Sequence, residues 1–302
     1  MSKNLYGAVC LALAAAIWGG MYVVSKYILD YVPPMSLMWL RYAIASILLI
    51  SALAYYGRKE AKGSMAARLR TDWRLLVWIA FIGYFGSIAM QFFGTKLSDA
   101  HTGALITSAT PAFVVVFARI ILNEPATWKK ILSLVLAMAG VVTVIGWVPT
   151  EGDYFKGTLI LVGAAVSWAL LSVYVKVASE RLSSLEITAS AIFIALLMTT
   201  PFMLLELRHT DMVLSDPSIV SGILYVGIMA TAVAFFLWNK GLELMSAGAG
   251  SLFLFLQPVV GAVLGWLCLG ERLTVNFFAG GLLIVAGVII ATLNERKTTT
   301  DA

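Results

Sequence analysis

Charge is scarce in this chain: of its 302 residues, 12% are Asp, Glu, Lys or Arg, whereas 61% are hydrophobic. A soluble protein of this size carries about 25% charged residues. Too little polar surface is present to cover a globule in water, so lipid is the expected solvent. Histidine occurs twice, as His101 and His209, both at loops and without partners in the apolar runs that would complete a metal set or a catalytic cluster. Cysteine is limited to Cys10 and Cys268 in separate apolar runs, which excludes a disulfide framework and a cysteine metal site. A Walker loop is absent, so ATP hydrolysis has no support. Asp and Glu are missing from the middles of the apolar runs, which disfavours cation or proton exchange built on a buried carboxylate. The expectation is a protein with no cofactor, no metal and no enzymatic activity; an intramembrane enzyme is the disfavoured alternative.

What is abundant is apolar length. A helix needs about 20 apolar residues to cross the hydrocarbon core, and ten segments reach it: Leu5–Ser25, Met35–Tyr56, Leu75–Leu97, Thr102–Leu122, Trp128–Trp147, Phe155–Val177, Leu185–Leu205, Ile219–Leu242, Ala247–Leu269 and Val275–Leu293. None shows the period-two alternation of a barrel strand. The first resembles a signal peptide, but no cleavage site closes it and further segments follow, so it reads as a retained span. Asp216-Pro217, Thr127 and Thr274 supply helix-start chemistry at three boundaries.

Lysine and arginine set the direction. Only Lys26, Arg41, Lys96, Lys156, Arg208 and Arg272 fall on one side of a ten-span threading, leaving fifteen of the 21 on the other side with both termini. That excess marks the termini as cytoplasmic. It also accounts for the basic stretch at residues 58–74 as a loop anchor, so no nucleic-acid partner is expected.

The chain is also written twice. Pro111 precedes Glu124 by thirteen residues, as Pro258 precedes Glu271, and the two pairs are 147 apart. Gly94 and Gly241, Ala100 and Ala247, and Gly140 and Gly287 share that offset; Trp18 and Trp168, and Lys26 and Lys176, are 150 apart. The expected fold is an all-α integral membrane protein of ten transmembrane helices in two five-helix repeats, residues 1–149 and 150–302. Five is odd, so the second copy enters the membrane inverted, an architecture of alternating-access transporters.

These residues resemble the EamA-type members of the drug/metabolite transporter superfamily over nearly the whole chain. GERLTVNFFAGGLLIVAGVII, from Gly270 to Ile290, is similar to the family's glycine–glutamate loop and last helix. Its first-half counterpart, NEPATWKKILSLVLAMAGVVTVI, replaces the glycine with Asn123 and inserts Pro125. The resemblance implies a multi-pass protein of the bacterial inner membrane that exports or exchanges amino acids and other small metabolites. A nucleotide-sugar, sugar-phosphate or drug transporter of the same architecture is the alternative.

Candidate substrate contacts follow from polar and aromatic residues within the spans. Tyr84, Ser87 and Gln91 follow i, i+3, i+7 and share one helical face, which lipid would penalise. Trp18 with Tyr22, and Trp168 with Ser172, lie near the middles of two spans, where they either stack on a substrate or pack in the core. Arg41 either snorkels to the interface or faces inward to attract a carboxylate. Asn239, Ser251 and Gln257 are further candidates on lining helices, and His101 reads as a solvated cap. Pro111 and Pro258 are candidate hinges about 20 Å from their glutamates, with static kinking the alternative. Glu124 and Glu271, at the interface, are expected to orient the next helix or to pair with Lys129 or Arg272. Gly261 and Gly265 form a GxxxG expected to meet a neighbour within the chain. A monomer in the lipid bilayer is expected, with dimerisation open.

Overall fold

The computed structural model describes residues 3–57, 65–98, 103, 106–107, 109–145, 152–269 and 275–298. Every regular element among them is helical: α1 (Lys3–Ile28), α2 (Pro34–Gly57), α3 (Met65–Thr71), α4 (Trp73–Leu97), α5 (Thr110–Ile121), α6 (Trp128–Ile145), α7 (Gly152–Ala178), α8 (Ser184–Glu206), α9 (Pro217–Leu244), α10 and α11 (Val275–Thr298). Helix α10 runs as Ala247–Ser251, a 3-10 turn Leu252–Phe255, and Leu256–Leu269. Six helices, α1, α2, α4, α7, α8 and α9, are long and apolar enough to cross a membrane. The four remaining expected spans correspond to α5, α6, α10 and α11, and parts of the first two lie outside the described residues.

Burial is distributed as lipid requires. Ile47, Ile120 and Leu282 are about 70% exposed (69%, 68% and 72%), whereas Arg41, Thr188, Thr231 and Asn239 are fully buried. Outward apolar and inward polar groups are the arrangement that hydrocarbon favours.

Helix starts follow the sequence signals. Asp216 accepts hydrogen bonds from the Ser218 backbone N–H (2.8 Å) and hydroxyl (2.7 Å), which hold its carboxyl below the ordinary carboxylate range. Thr127 accepts from the Lys130 N–H at 3.3 Å. Thr274 lies outside the described residues.

Two long antiparallel pairs organise the bundle, α1 on α9 and α4 on α7, and glycine makes both possible. A Cβ placed on Gly157 would come within 2.9 Å of the Gly94 carbonyl oxygen, and one on Gly241 within 3.1 Å of the Gly7 oxygen. Gly7 is 150 before Gly157 and Gly94 is 147 before Gly241, so the two close approaches are counterparts. A third contact is reciprocal as well. Gly140 of α6 meets Gly280 and Ile284 of α11, while Gly287 meets Ser133 and Ala137 of α6. Gly261 packs on Gly19 of α1, a neighbour within the chain.

Helices α4 and α9 each contain a π-helical stretch, Ala80–Ser87 and Tyr225–Val233. The wider turn releases carbonyls from the ordinary ladder. Tyr42 donates its hydroxyl hydrogen to the Tyr84 carbonyl, and Ser167 donates to that of Ile82.

The prolines have a position different from mid-helix kinks. Pro111 occupies the first turn of α5 after a turn at Ala109, where its missing N–H costs nothing. Pro258 lies near the start of Leu256–Leu269, directly after the 3-10 turn. In both cases the departure from α-helix comes before the proline rather than at it.

Asn123 accounts for the departure from the glycine–glutamate pattern. Its φ is +55°, a left-handed conformation that glycine adopts freely and asparagine tolerates better than other residues. That turn delivers Glu124, whose carboxylate accepts from the Ala247 and Gly248 N–H groups (2.8 and 3.1 Å) and from Lys130 Nζ (3.3 Å). The partner is therefore Lys130 rather than Lys129, and the helix it orients is α10. Glu271 lies outside the described residues.

Gly157→Ala should lower the unfolding midpoint in detergent by the equivalent of about 1–3 kcal/mol, because a backbone carbonyl must give way. Gly163→Ala, whose new methyl would meet only the flexible Met90 side chain, is the control and should change little. At the left-handed turn, Asn123→Gly should be near neutral in the same assay and Asn123→Ala should cost about 1 kcal/mol.

Candidate functional site

A cavity lies where the two antiparallel pairs face each other. Its walls come from Trp18 and Met21 on α1, Arg41 on α2, Ser87, Ile88 and Gln91 on α4, Thr107 just before α5, Ala164, Ala165 and Trp168 on α7, Phe235 on α9, and Leu254 and Gln257 on α10. The free space admits about 20 Å³ of water-sized volume, room for little more than one water.

Trp18 and Trp168, 150 residues apart in the sequence, meet edge to face at 5.4 Å and 88°. Phe235 closes the cluster at 5.4 Å from Trp18 and 5.5 Å from Trp168. Trp18 donates its indole N–H to the Ala230 carbonyl at 2.9 Å.

Arg41 does not snorkel. It is fully buried, donating from Nε to Thr231 Oγ1 at 2.7 Å and from a terminal nitrogen to the Ala230 carbonyl at 3.3 Å. Its guanidinium lies 5.4 Å from the Phe92 and Phe235 ring centroids. The π-helical stretch of α9 explains the direction. Thr231 donates to the Val226 carbonyl five residues back (2.6 Å), and Ala230 offers its carbonyl sideways, giving a buried cation acceptors that an unbroken helix would withhold. Taking a cation out of water costs several kcal/mol even after relaxation. Hydrogen bonds to a charged group contribute about 1.5–3 kcal/mol each and a desolvated ring contact about 2 kcal/mol. These interactions offset the desolvation cost and keep the cation inside the bundle.

The other candidates divide. Ser87, Gln91, Trp168 and Gln257 border the cavity together with Trp18 and Arg41. The Trp168 indole nitrogen and the Gln257 amide oxygen are buried without a hydrogen-bond partner among the described residues. Ser87 also donates to the Ala164 carbonyl at 2.8 Å, tying α4 to α7. Four candidates sit elsewhere. Tyr84 is buried behind the aromatic cluster and accepts from Asn239 Nδ2 at 2.9 Å. Asn239 donates in addition to Thr188 Oγ1 at 2.8 Å, so the pair fastens α4, α8 and α9. Ser172 and Ser251 spend their hydroxyls on carbonyls of their own helices, at Trp168 and Gly248. The Tyr22 side chain and His101 lie outside the described residues. Met21, Ile88, Ala164, Ala165, Phe235 and Leu254 were not singled out from sequence, because an apolar residue in an apolar run carries no mark of facing a cavity. Thr107, a hydroxyl inside an apolar run four residues before Pro111, did carry a signal.

Comparison with known proteins places this geometry in context. The model of the EamA-like transporter family matches residues 5–146 and again 155–293. The chain is similar to a Bacillus subtilis (strain 168) protein named uncharacterized transporter YetK, at 26% identity over 98% of this chain and 90% of that one. It is similar also to an uncharacterized transporter of Archaeoglobus fulgidus, at 25% identity over 93% and 97%. A solved crystal structure matches with a TM-score of 0.79 at 21% identity, covering 97% of this chain and 98% of that one; at this identity the likeness concerns the fold alone.

Tyr84→Phe removes the acceptor of Asn239 but leaves the cavity wall intact. It should lower the unfolding midpoint by the equivalent of about 1 kcal/mol, with ligand affinity unchanged in a binding titration. A loss of affinity without a loss of stability would return Tyr84 to the cavity.

Proposed function

The chain belongs to the EamA-like transporter family, and from that premise we propose that it is a secondary transporter exporting hydrophobic or aromatic amino acids across the bacterial inner membrane. Ten spans with cytoplasmic termini, arranged as two inverted five-helix repeats, form the proposed frame, and alternating access at the central cavity is the proposed mechanism. The single observation that carries the substrate reading is the composition of that cavity. One fully buried guanidinium, at Arg41, stands beside two amides, Gln91 and Gln257, within walls of Trp18, Trp168, Met21, Ile88, Phe235 and Leu254. A carboxylate suits the first, an amino group the amide oxygens, and an apolar side chain the walls.

Support for the frame comes from the reciprocal glycine contacts and from the family model matching two stretches whose starts are 150 residues apart. The directions of the helices agree with it. Residues 7, 18 and 28 of α1 meet 241, 230 and 222 of α9, so these helices are antiparallel. Likewise Gly83, Ser87 and Gly94 of α4 meet Leu171, Ala164 and Gly157 of α7. A nucleotide-sugar carrier would want several inward cations, and Arg41 is the one cation lining this cavity among the described residues.

Purified protein in liposomes should carry radiolabelled leucine, phenylalanine or tryptophan without an imposed proton gradient. Arg41→Gln should raise KM for them at least tenfold while the unfolding midpoint moves little; Arg41→Lys should rescue part of the loss, since the point charge remains but the planar fork does not. Flux of a nucleotide sugar with none for any amino acid would overturn the substrate reading.

A further inference from the structure

Two lysines outside the cavity occupy equivalent positions at its two ends. Lys26 near the end of α1 donates from Nζ to the carbonyls of Thr95, Lys96 and Ser98 at the C-terminus of α4, at 3.3, 3.4 and 3.3 Å. Lys176 near the end of α7 donates to the carbonyls of Leu242, Glu243 and Met245 at the C-terminus of α9, at 2.9, 3.3 and 2.8 Å. The lysines are 150 residues apart and the three acceptors 147 apart, position for position. Each ammonium satisfies carbonyls that a helix end leaves unpaired and faces the negative end of the helix dipole.

Their placement relative to the packed pairs gives them a role beyond capping. Helix α1 is packed along α9, and α4 along α7, by the glycine contacts. Lys26 joins α1 to α4 and Lys176 joins α7 to α9, so each lysine runs between the two pairs rather than within one. Helices α7 and α9 run parallel, because Trp168 meets Phe235 and Lys176 meets Leu242. Since α9 is antiparallel to α1, the C-terminal ends of α1 and α7 are at opposite ends of the bundle. Each lysine is eight residues beyond its tryptophan, Trp18 or Trp168, and the tryptophans meet at the cavity. That puts the two ammonium groups about 12 Å along their helices from the cavity, in opposite directions.

We infer that Lys26 and Lys176 are the two gate-positioning residues of the transport cycle, each holding one end of the cavity shut by joining the two helix pairs. The inference rests on the alternating-access reading. Both clasps are formed here, and the cavity between them has room for little more than one water. Opening toward one side requires release of one lysine from its three carbonyls while the other remains seated. Positive charge makes the clasp strong enough to hold, and the partly exposed ammonium can transfer to water when it lets go. The excess of basic residues assigns Lys26 to the outer face and Lys176 to the cytoplasmic face.

The test places one reporter, Ala165→Cys, in a full-length background with Cys10 and Cys268 replaced by alanine. Sealed vesicles of both orientations are treated with a membrane-impermeant maleimide, and the ratio of labelling from the two faces is read. Lys26→Met should move the ratio roughly fivefold to thirtyfold toward the outer face, the span expected for a partly buried charge at a helix end. Lys176→Met should move it as far toward the cytoplasmic face, and Lys→Arg at either position should restore it. Lys→Gln variants, which keep a donor, serve where a methionine variant is poorly folded by its melting curve and should move the ratio in the same directions. A simple capping role would lower both melting midpoints and leave the ratio unmoved; that outcome, or movement in the same direction for both lysines, overturns the inference. Labelling of the unmodified-lysine reporter from both faces establishes the cycle on which the gates act. Labelling from one face alone under every substrate condition overturns alternating access and the gates with it.

Discussion

A carbonyl released from a helix in hydrocarbon must find a donor inside the protein, and much of this structure depends on how that need is met. The released carbonyls arise at helix ends and at the π-helical stretches of α4 and α9. Their partners come from other helices: Lys26 and Lys176 at the ends, and Trp18, Arg41, Tyr42 and Ser167 at the π turns. Each such bond satisfies a backbone group and at the same time sets the position of a neighbouring helix. The polar residues that look costly in a chain with so little charge are those that pin the bundle together.

The same economy shapes the cavity. Helix α9 widens at Tyr225–Val233, and the acceptors it frees turn Arg41 inward rather than toward the interface. Helix α4 widens at Ala80–Ser87, which places Ser87 at the cavity and the Tyr84 carbonyl under the Tyr42 hydroxyl. π turns recur at functional sites because they change which side chains face a given neighbour without ending the helix. Here the α4 turn supplies Ser87 to the cavity wall, and the α9 turn holds Arg41, which lines it.

That mechanism also marks where the sequence was readable. The lengths of six spans, the caps at Thr127 and Asp216, and the paired glycines followed from local rules, since apolar length, a cap side chain and the lack of a Cβ act where they stand. The polar stripe of Tyr84, Ser87 and Gln91 was only two-thirds legible. Its i, i+3, i+7 spacing assumes an unbroken α-helix, and the π turn between Ala80 and Ser87 rotates Tyr84 away from the other two and toward Asn239. Arg41 posed the same difficulty in three dimensions, because its direction depends on the Ala230 carbonyl, 189 residues away on α9, and on the Thr231 hydroxyl beside it. Phe235 and Leu254 were silent, as their neighbours in the chain are as apolar as they are. The positive φ at Asn123 was foreshadowed by the glycine it replaces.

The matched spacing of the glycine and lysine contacts does not extend to the chemistry of the cavity. The residue 150 beyond Arg41 is Ala191, which is buried and uncharged, while the glycine contacts and the lysine clasps are matched in both halves. Arg41 is bonded to Ala230 and Thr231, so it is tied to α9 and hence to the α1 pair. Gln257 is close to the same pair, since the Gln257 carbonyl abuts Gly19. Ser87, Gln91 and Trp168 belong to the opposing pair. A ligand with one charged end would therefore be held electrostatically by one pair and closed over by the other. Relative motion of the pairs would change its access without moving it off its counter-charge, which an evenly shared pair of cations would not permit.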